Sequence, residues 1–210
     1  MIFLNPWSSN LCINISKKGL SPIGAIGFGI PGTSFTGLLK GKGASFSLGD
    51  ILKKSLLKEG ASPEIISKNL AELKANKVSQ KNYDVLVLGA DSVIDLNGEL
   101  ISKPENRIEA FNILKKLNGK KHSLISSVCI SKNGSMIWNY TDKAYLTMKN
   151  FSDNQLKEYL EKITDEALYA YNVYQIEGEG RNLFTSIDGD ENTIMGLPII
   201  DIKKYLGNYK

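Results

Sequence analysis

Tyr83-Asp84-Val85-Leu86-Val87-Leu88-Gly89-Ala90-Asp91 is a short, nearly unbroken apolar run that meets a carboxylate. Such a run, bounded by polar residues and too short for a helix, has the pattern of a strand buried on both faces. The strand is expected to end at Asp91. A carboxylate just past a buried strand is costly unless it is paired or solvated in a cleft. It reads either as a base or hard-cation ligand facing a cleft, or as a turn residue bonded to its own backbone.

Downstream, Val93 to Ile101 reads as a hairpin around Asn97-Gly98, and a second hairpin centres on Asn133-Gly134, with arms from Ser123 to Met148. Between them, Ile108, Phe111, Leu114 and Leu117 form a helical stripe closed by Gly119. Ser152-Asp153-Asn154-Gln155 is a capping box opening a helix with Leu156, Tyr159, Leu160 and Ile163 inside. Short strands are expected near Val173–Ile176 and Asn182–Ile187, then a last helix after Gly196-Leu197-Pro198. Upstream, Asp50 caps a helix from Ile51 to Glu59, and Ser62-Pro63 opens another with Ile66, Leu70 and Leu73 as its inner face. Helices alternating with strands and hairpins predict an α/β fold, a mixed β-sheet flanked by helices.

Composition changes near residue 50. Nine glycines fall between Gly19 and Gly49, with Pro22 and Pro31 and no sustained period. Gly27-Phe28-Gly29-Ile30-Pro31-Gly32 spells a dinucleotide-binding pattern, and Gly27 to Ser34 spells a phosphate loop with Thr33 in the lysine position. Neither follows a convincing strand, and Pro31 interrupts the helix start that both require. The chain therefore divides into a Gly-rich segment, residues 1–49, and one α/β domain, residues 50–210.

The whole chain has 210 residues, enough for one sizeable core. A net charge of +4 suits an anionic ligand but gives no basic stripe for nucleic acid. Two cysteines, Cys12 and Cys129, indicate no disulfide framework, and no run of 18 apolar residues is present. A cytoplasmic protein is expected. His122, the only histidine, leaves little room for a histidine-built metal site. Lys74, next to Leu73, and Lys103, before the stiffening Pro104, are candidate phosphate contacts.

Six motifs together resemble one family: Leu70 to Ala75 (LAELKA), Leu88 to Ser92 (LGADS), Lys103-Pro104, Leu117 to His122 (LNGKKH), Tyr174 to Gly178 (YQIEG) and Gly196 to Pro198 (GLP). In order and spacing they are similar to the Maf family of nucleoside triphosphate pyrophosphatases, also called septum formation proteins. The resemblance covers about three quarters of the chain, from residue 50 on. It implies an elongated Maf/ITPase-like sheet in two lobes around a nucleotide cleft. The implied reaction splits a nucleoside triphosphate, often a modified one, into monophosphate and pyrophosphate. By resemblance Asp91 is the proton acceptor and a ligand of a divalent cation, Mg2+ or Mn2+. Lys74 and Lys103 match phosphate-binding lysines, while Ser92 and Glu177 match positions that help choose the base. A homodimer is compatible with it. Members acting on thymidine or uridine triphosphates carry Thr after the Asp and Gln at the later position. Those acting on 7-methyl-GTP carry Gln and then Glu. Ser92 with Glu177 leans to a purine, because a carboxylate accepts from a guanine N–H edge.

The family opens with a strand, a Ser-x-Ser-Pro-Arg-Arg loop, a helix and an Asp-Glu pair. Residues 1–49 show none of these: Ser16-Lys17-Lys18 is a faint echo, and Ile51 follows Asp50. Either unrelated sequence stands there or the reading frame upstream differs. Residues 1 to about 47 are expected to lack a first strand and to pack poorly. Two further readings follow. One is a nucleotide-binding or division-associated protein with impaired catalysis. The other is a kinase-like or NAD-binding module built on the Gly-rich segment.

Overall fold

The computed structural model describes residues 12–16 and 19–21 by their backbone, and residues 48–165, 168 and 172–208 in full. The Gly-rich stretch from 22 to 47, and with it most of the expectation about packing of the N-terminal segment, lies outside the described residues.

Seven strands form one sheet: β1 (Cys12–Ser16), β2 (Gly19–Ser21), β3 (Leu86–Leu96), β4 (Glu99–Ile101), β5 (Lys121–Lys132), β6 (Ser135–Met148) and β7 (Phe184–Asp188). Their order is β2-β1-β3-β5-β6-β7, with β4 also on β3. The helices are α1 (Leu48–Lys58), α2 (Pro63–Ser79), α3 (Arg107–Leu117), α4 (Asp153–Glu161), α5 (Glu191–Ile194) and α6 (Ile199–Asn208). The α/β class holds. A mixed sheet was expected, whereas every described pairing is antiparallel. Among the described residues no helix is long and apolar enough to cross a membrane.

The turn chemistry behaves as the sequence dictates. Asn97 and Gly98 have φ of 53° and 88°, and Asn133 and Gly134 of 52° and 83°, the doubly left-handed geometry of a tight hairpin. Ser62 caps α2, and Ser152 and Gln155 cap α4 reciprocally.

Four expectations are corrected. The strand does not end at Asp91. It runs on to Leu96, because β5 continues to pair with it from Val87 to Asp95, so Asp91 and Ser92 lie mid-strand. A strand does form inside the N-terminal segment: Cys12–Ser16, where Ile13 and Ile15 alternate with polar residues, pairs with β3 from Leu86 to Gly89. Val173–Ile176 is not a strand, since Asn172 adopts φ 68° and breaks the extended run. Helix α1 opens at Leu48, two residues before the expected cap.

Along β3 the residues facing α6 read Leu88, Ala90, Ser92, Ile94 and Leu96. The first two pack with Val128, Ile130 and Ile202, and the last two join a larger cluster with Leu114, Leu124, Leu146 and Leu156. The larger cluster has twenty buried residues against five, and at roughly 1.5–3 kcal/mol per buried large side chain it is the platform of the fold. The Ser92 position separates the two.

On the opposite face α2 lies almost on the backbone of β3. Its buried face holds Ile66 and Leu70, as expected, together with Ser67, Ala71, Lys74 and Ala75, while the expected Leu73 is only half-buried. Small residues allow the approach, and Gly89 requires it. A Cβ on Gly89 would sit 2.5 Å from Ala71 O and 2.7 Å from Ala75 N. Gly89→Ala should therefore push α2 outward and destabilise the protein by about 1–3 kcal/mol, the usual range for overpacking. Urea unfolding checks this. An unchanged midpoint would mean that α2 is not held against β3.

Candidate active site

On the edge of β3 away from β5, β1 pairs with residues 86–89 and β4 with 94–96. Among the described residues, 90–93 have no strand partner on that edge. Buried backbone carbonyls need hydrogen-bond partners, and α2 supplies two. Ser67 Oγ donates to Asp91 O at 2.9 Å, and Lys74 Nζ donates to Ala90 O at 2.9 Å. Ser67 and Lys74 are seven residues apart, two helical turns, and so fall on one face of α2.

The same ammonium meets Asp91 Oδ1 at 2.6 Å, in a pair whose side chains are 9% and 14% exposed. Removing one partner of a pair this buried strands the other, at roughly 3–5 kcal/mol. Lys74 therefore has a structural share besides any role toward a ligand. No hydrogen bond among the described residues occupies Asp91 Oδ2.

Lys103 leaves the end of β4 half-buried in the loop before α3, close enough for its charge to interact with Asp91 and Lys74. Burial lowers its pKa to about 8, with the neighbouring Lys74 and Lys53 pushing the same way and Asp91 opposing them. Lys53, half-buried on α1, belongs to the same group. Its Nζ donates to Ser102 Oγ at 2.9 Å, and burial lowers its pKa against the pull of Asp91 and Asp50. Three lysines thus surround one carboxylate. Sequence reading missed Lys53, whose only signal is its place one helical turn after Asp50, and it missed Ser67, detectable by its two-turn spacing from Lys74.

Ser92 faces away from this group, as strand alternation requires. Its Oγ lies 2.9 Å from that of Ser126, and Ser126 Oγ donates to Thr193 O at 2.8 Å. The single proton of Ser126 is used there, so Ser92 is the donor in the serine pair and its oxygen can only accept from anything else. Glu177 is exposed in the turn before the 3-10 helix Glu179–Leu183, with no hydrogen bond or ion pair among the described residues. The structure thus brings Asp91, Lys74 and Lys103 together and leaves Ser92 and Glu177 outside that cluster.

His122 is 3% exposed, with Nε2 2.9 Å from the Tyr174 hydroxyl, and burial lowers its pKa to about 4. It is a neutral member of the core. Among the described residues no three His, Cys, Asp or Glu cluster to hold a metal.

Such a group, one carboxylate beside several ammonium ions, is fitted to a small polyanion. The comparisons agree on the class. The family model described as Maf-like protein matches residues 38–209, and the chain belongs to that family. A nucleoside triphosphate pyrophosphatase of Pelagibacter ubique (strain HTCC1062) is 70% identical over 157 residues, 75% of this chain and 80% of that protein. One of Ruegeria sp. (strain TM1040) is 39% identical over 158 residues, 75% of this chain and 79% of that protein. A 7-methyl-GTP pyrophosphatase of Brucella abortus biovar 1 (strain 9-941) is 37% identical over 171 residues, 79% of this chain and 86% of that protein.

Lys103 loses its charge as pH rises through about 8, so affinity for a non-hydrolysable nucleoside triphosphate should fall above that pH. Lys53, also lowered, adds to the same trend. In Lys103→Arg the charge persists and the fall should move to higher pH. Dissociation constants measured across the alkaline range check this, and identical profiles for the two proteins would place Lys103 outside the anion site.

Proposed function

We propose that the protein is a nucleoside triphosphate pyrophosphatase that cleaves between the α- and β-phosphates, releasing a monophosphate and pyrophosphate. The observation that carries this reading is the carboxylate of Asp91 set among Lys74, Lys103 and Lys53. The names of the relatives supply the substrate class.

In this mechanism Asp91, through Oδ2, takes the proton of a water that attacks the α-phosphorus. The bond from that phosphorus to the bridging oxygen breaks, and the electron pair leaves with pyrophosphate. General-base assistance of this kind contributes ~10²–10⁴ in rate. The lysines oppose the charge that builds on the departing diphosphate, where fixed cations in a partly dry site act most strongly. Among the described residues of this group Asp91 is the one that would hold a divalent cation accompanying the triphosphate. Bound there it would neutralise phosphate charge.

For the base, the reading favours a purine and in particular a 7-methylated guanine. Guanine presents N–H donors at N1 and N2. The carboxylate of Glu177 and the acceptor-only oxygen of Ser92 match donors, whereas a uracil edge needs a donor as well as an acceptor. A 7-methyl-GTP pyrophosphatase among the relatives supports the same choice.

A second reading, a nucleotide binder with impaired turnover, is favoured by residues 1–37 lying outside the family match. Measuring pyrophosphate release separates the two. In the active case Asp91→Asn keeps nucleotide binding and lowers turnover by ~10²–10⁴, because an amide cannot take the proton. Undiminished turnover in that variant would remove Asp91 from the mechanism.

A further inference from the structure

Lys53 is not part of the buried core. Helix α1 has no buried residue, so a lysine on it is free to extend into water. Instead it lies half-buried and reaches across to the β4–α3 loop, where Nζ donates to Ser102 Oγ at 2.9 Å. Ser102 immediately precedes Lys103. The bond ties α1 to the loop that carries a second cation, and both ammonium groups are near enough to Asp91 to interact with it. Asp50, one turn before Lys53, is exposed and also attracts it.

Crowding a third lysine beside Lys74 and Lys103 is unfavourable in the free protein, since like charges repel and each gives up hydration. An arriving polyanion reverses the balance. Position decides which part of it each lysine meets. Lys74 is in contact with Asp91 and so stands at the reacting phosphorus. Lys53 bonds Ser102, the residue before Lys103, and so stands beside Lys103 and not in contact with Asp91.

We propose that Lys53 is a third anion-binding residue, which with Lys103 holds the terminal two phosphates of the substrate and then the pyrophosphate product. The assignment to these phosphates rests on the pyrophosphatase reading above. The test uses the full chain, with inorganic pyrophosphate and a nucleoside monophosphate as separate probes in titration calorimetry. Lys53→Ala should weaken pyrophosphate binding about tenfold, the loss of one charge-assisted contact. It should leave monophosphate binding and the thermal midpoint unchanged, while Lys53→Arg should restore pyrophosphate binding. Equal pyrophosphate affinity in wild type and Lys53→Ala overturns the proposal, as does equal weakening of both probes, which would indicate a structural role. If the wild type binds pyrophosphate in a Lys53-dependent way yet releases none from any triphosphate, the hydrolytic reading fails and the anion-binding role of Lys53 stands.

Discussion

The contact between α2 and the backbone of β3 is the constraint from which the site follows. A helix normally stands about 10 Å from a sheet because side chains separate them. Here Gly89 on the strand and Ala71 and Ala75 on the helix remove that spacer. The helix comes close enough for Ser67 and Lys74 to bond the carbonyls of Asp91 and Ala90 directly. Two carbonyls of the strand are thereby satisfied by side chains of the helix. The carboxylate that this strand displays acquires its cation in the same stroke. Had the helix packed at the ordinary distance, the carbonyls would need water or a further strand, and Lys74 would not reach Asp91.

The alternation of β3 then divides labour between its faces. Asp91 turns to α2 and the lysines, while Ser92 turns to Ser126 and the turn of α5. Ser92 and Ser126 interrupt an apolar row at the boundary between the small cluster near α6 and the large one beneath α3 and α4. Buried hydroxyls there would be expensive if unpaired. The chain Ser92, Ser126 and Thr193 O satisfies them in one direction, and the same direction leaves Ser92 with only an acceptor to offer.

Much of this was legible because local rules governed it. The two Asn-Gly hairpins, the Ser62 and Ser152 caps and the apolar strand were set by short-range sterics and hydrogen bonding, which a sequence displays. Asp91 was singled out by its place after the apolar strand and Lys74 by its place on the helix, with their roles taken from resemblance, but their environment was not legible. A polar Asp91-Ser92 pair reads as the end of a strand, since nothing local shows that β5 pairs past it and that α2 bonds the carbonyl of Asp91. On helix α2 the inner face was read correctly at Ile66 and Leu70 but not at Leu73: Leu73 is the more apolar choice over Lys74, and only tertiary packing shows that Lys74 is the buried one. Ile108 was likewise counted into the stripe of α3 yet is exposed, while Ala110 is buried in its place. Lys53 had no distinguishing pattern at all. Its burial depends on where the loop before α3 passes, a long-range fact.

Lys103 and Lys53 have in common that the free protein holds them at a disadvantage. Lys103 is pushed down to about 8 and Lys53 is lowered in the same sense, both chiefly by lost hydration. A site whose cations are already partly stripped of water has less reorganisation left when an anion arrives, and its interactions with that anion are correspondingly less screened. Two contacts anchor the neighbours of Lys103, the Lys74–Asp91 pair and the Lys53–Ser102 bond. One anchor is set in the sheet by the close approach of α2. The other is carried by a helix with no buried side chain, and so depends less on the packing of the core.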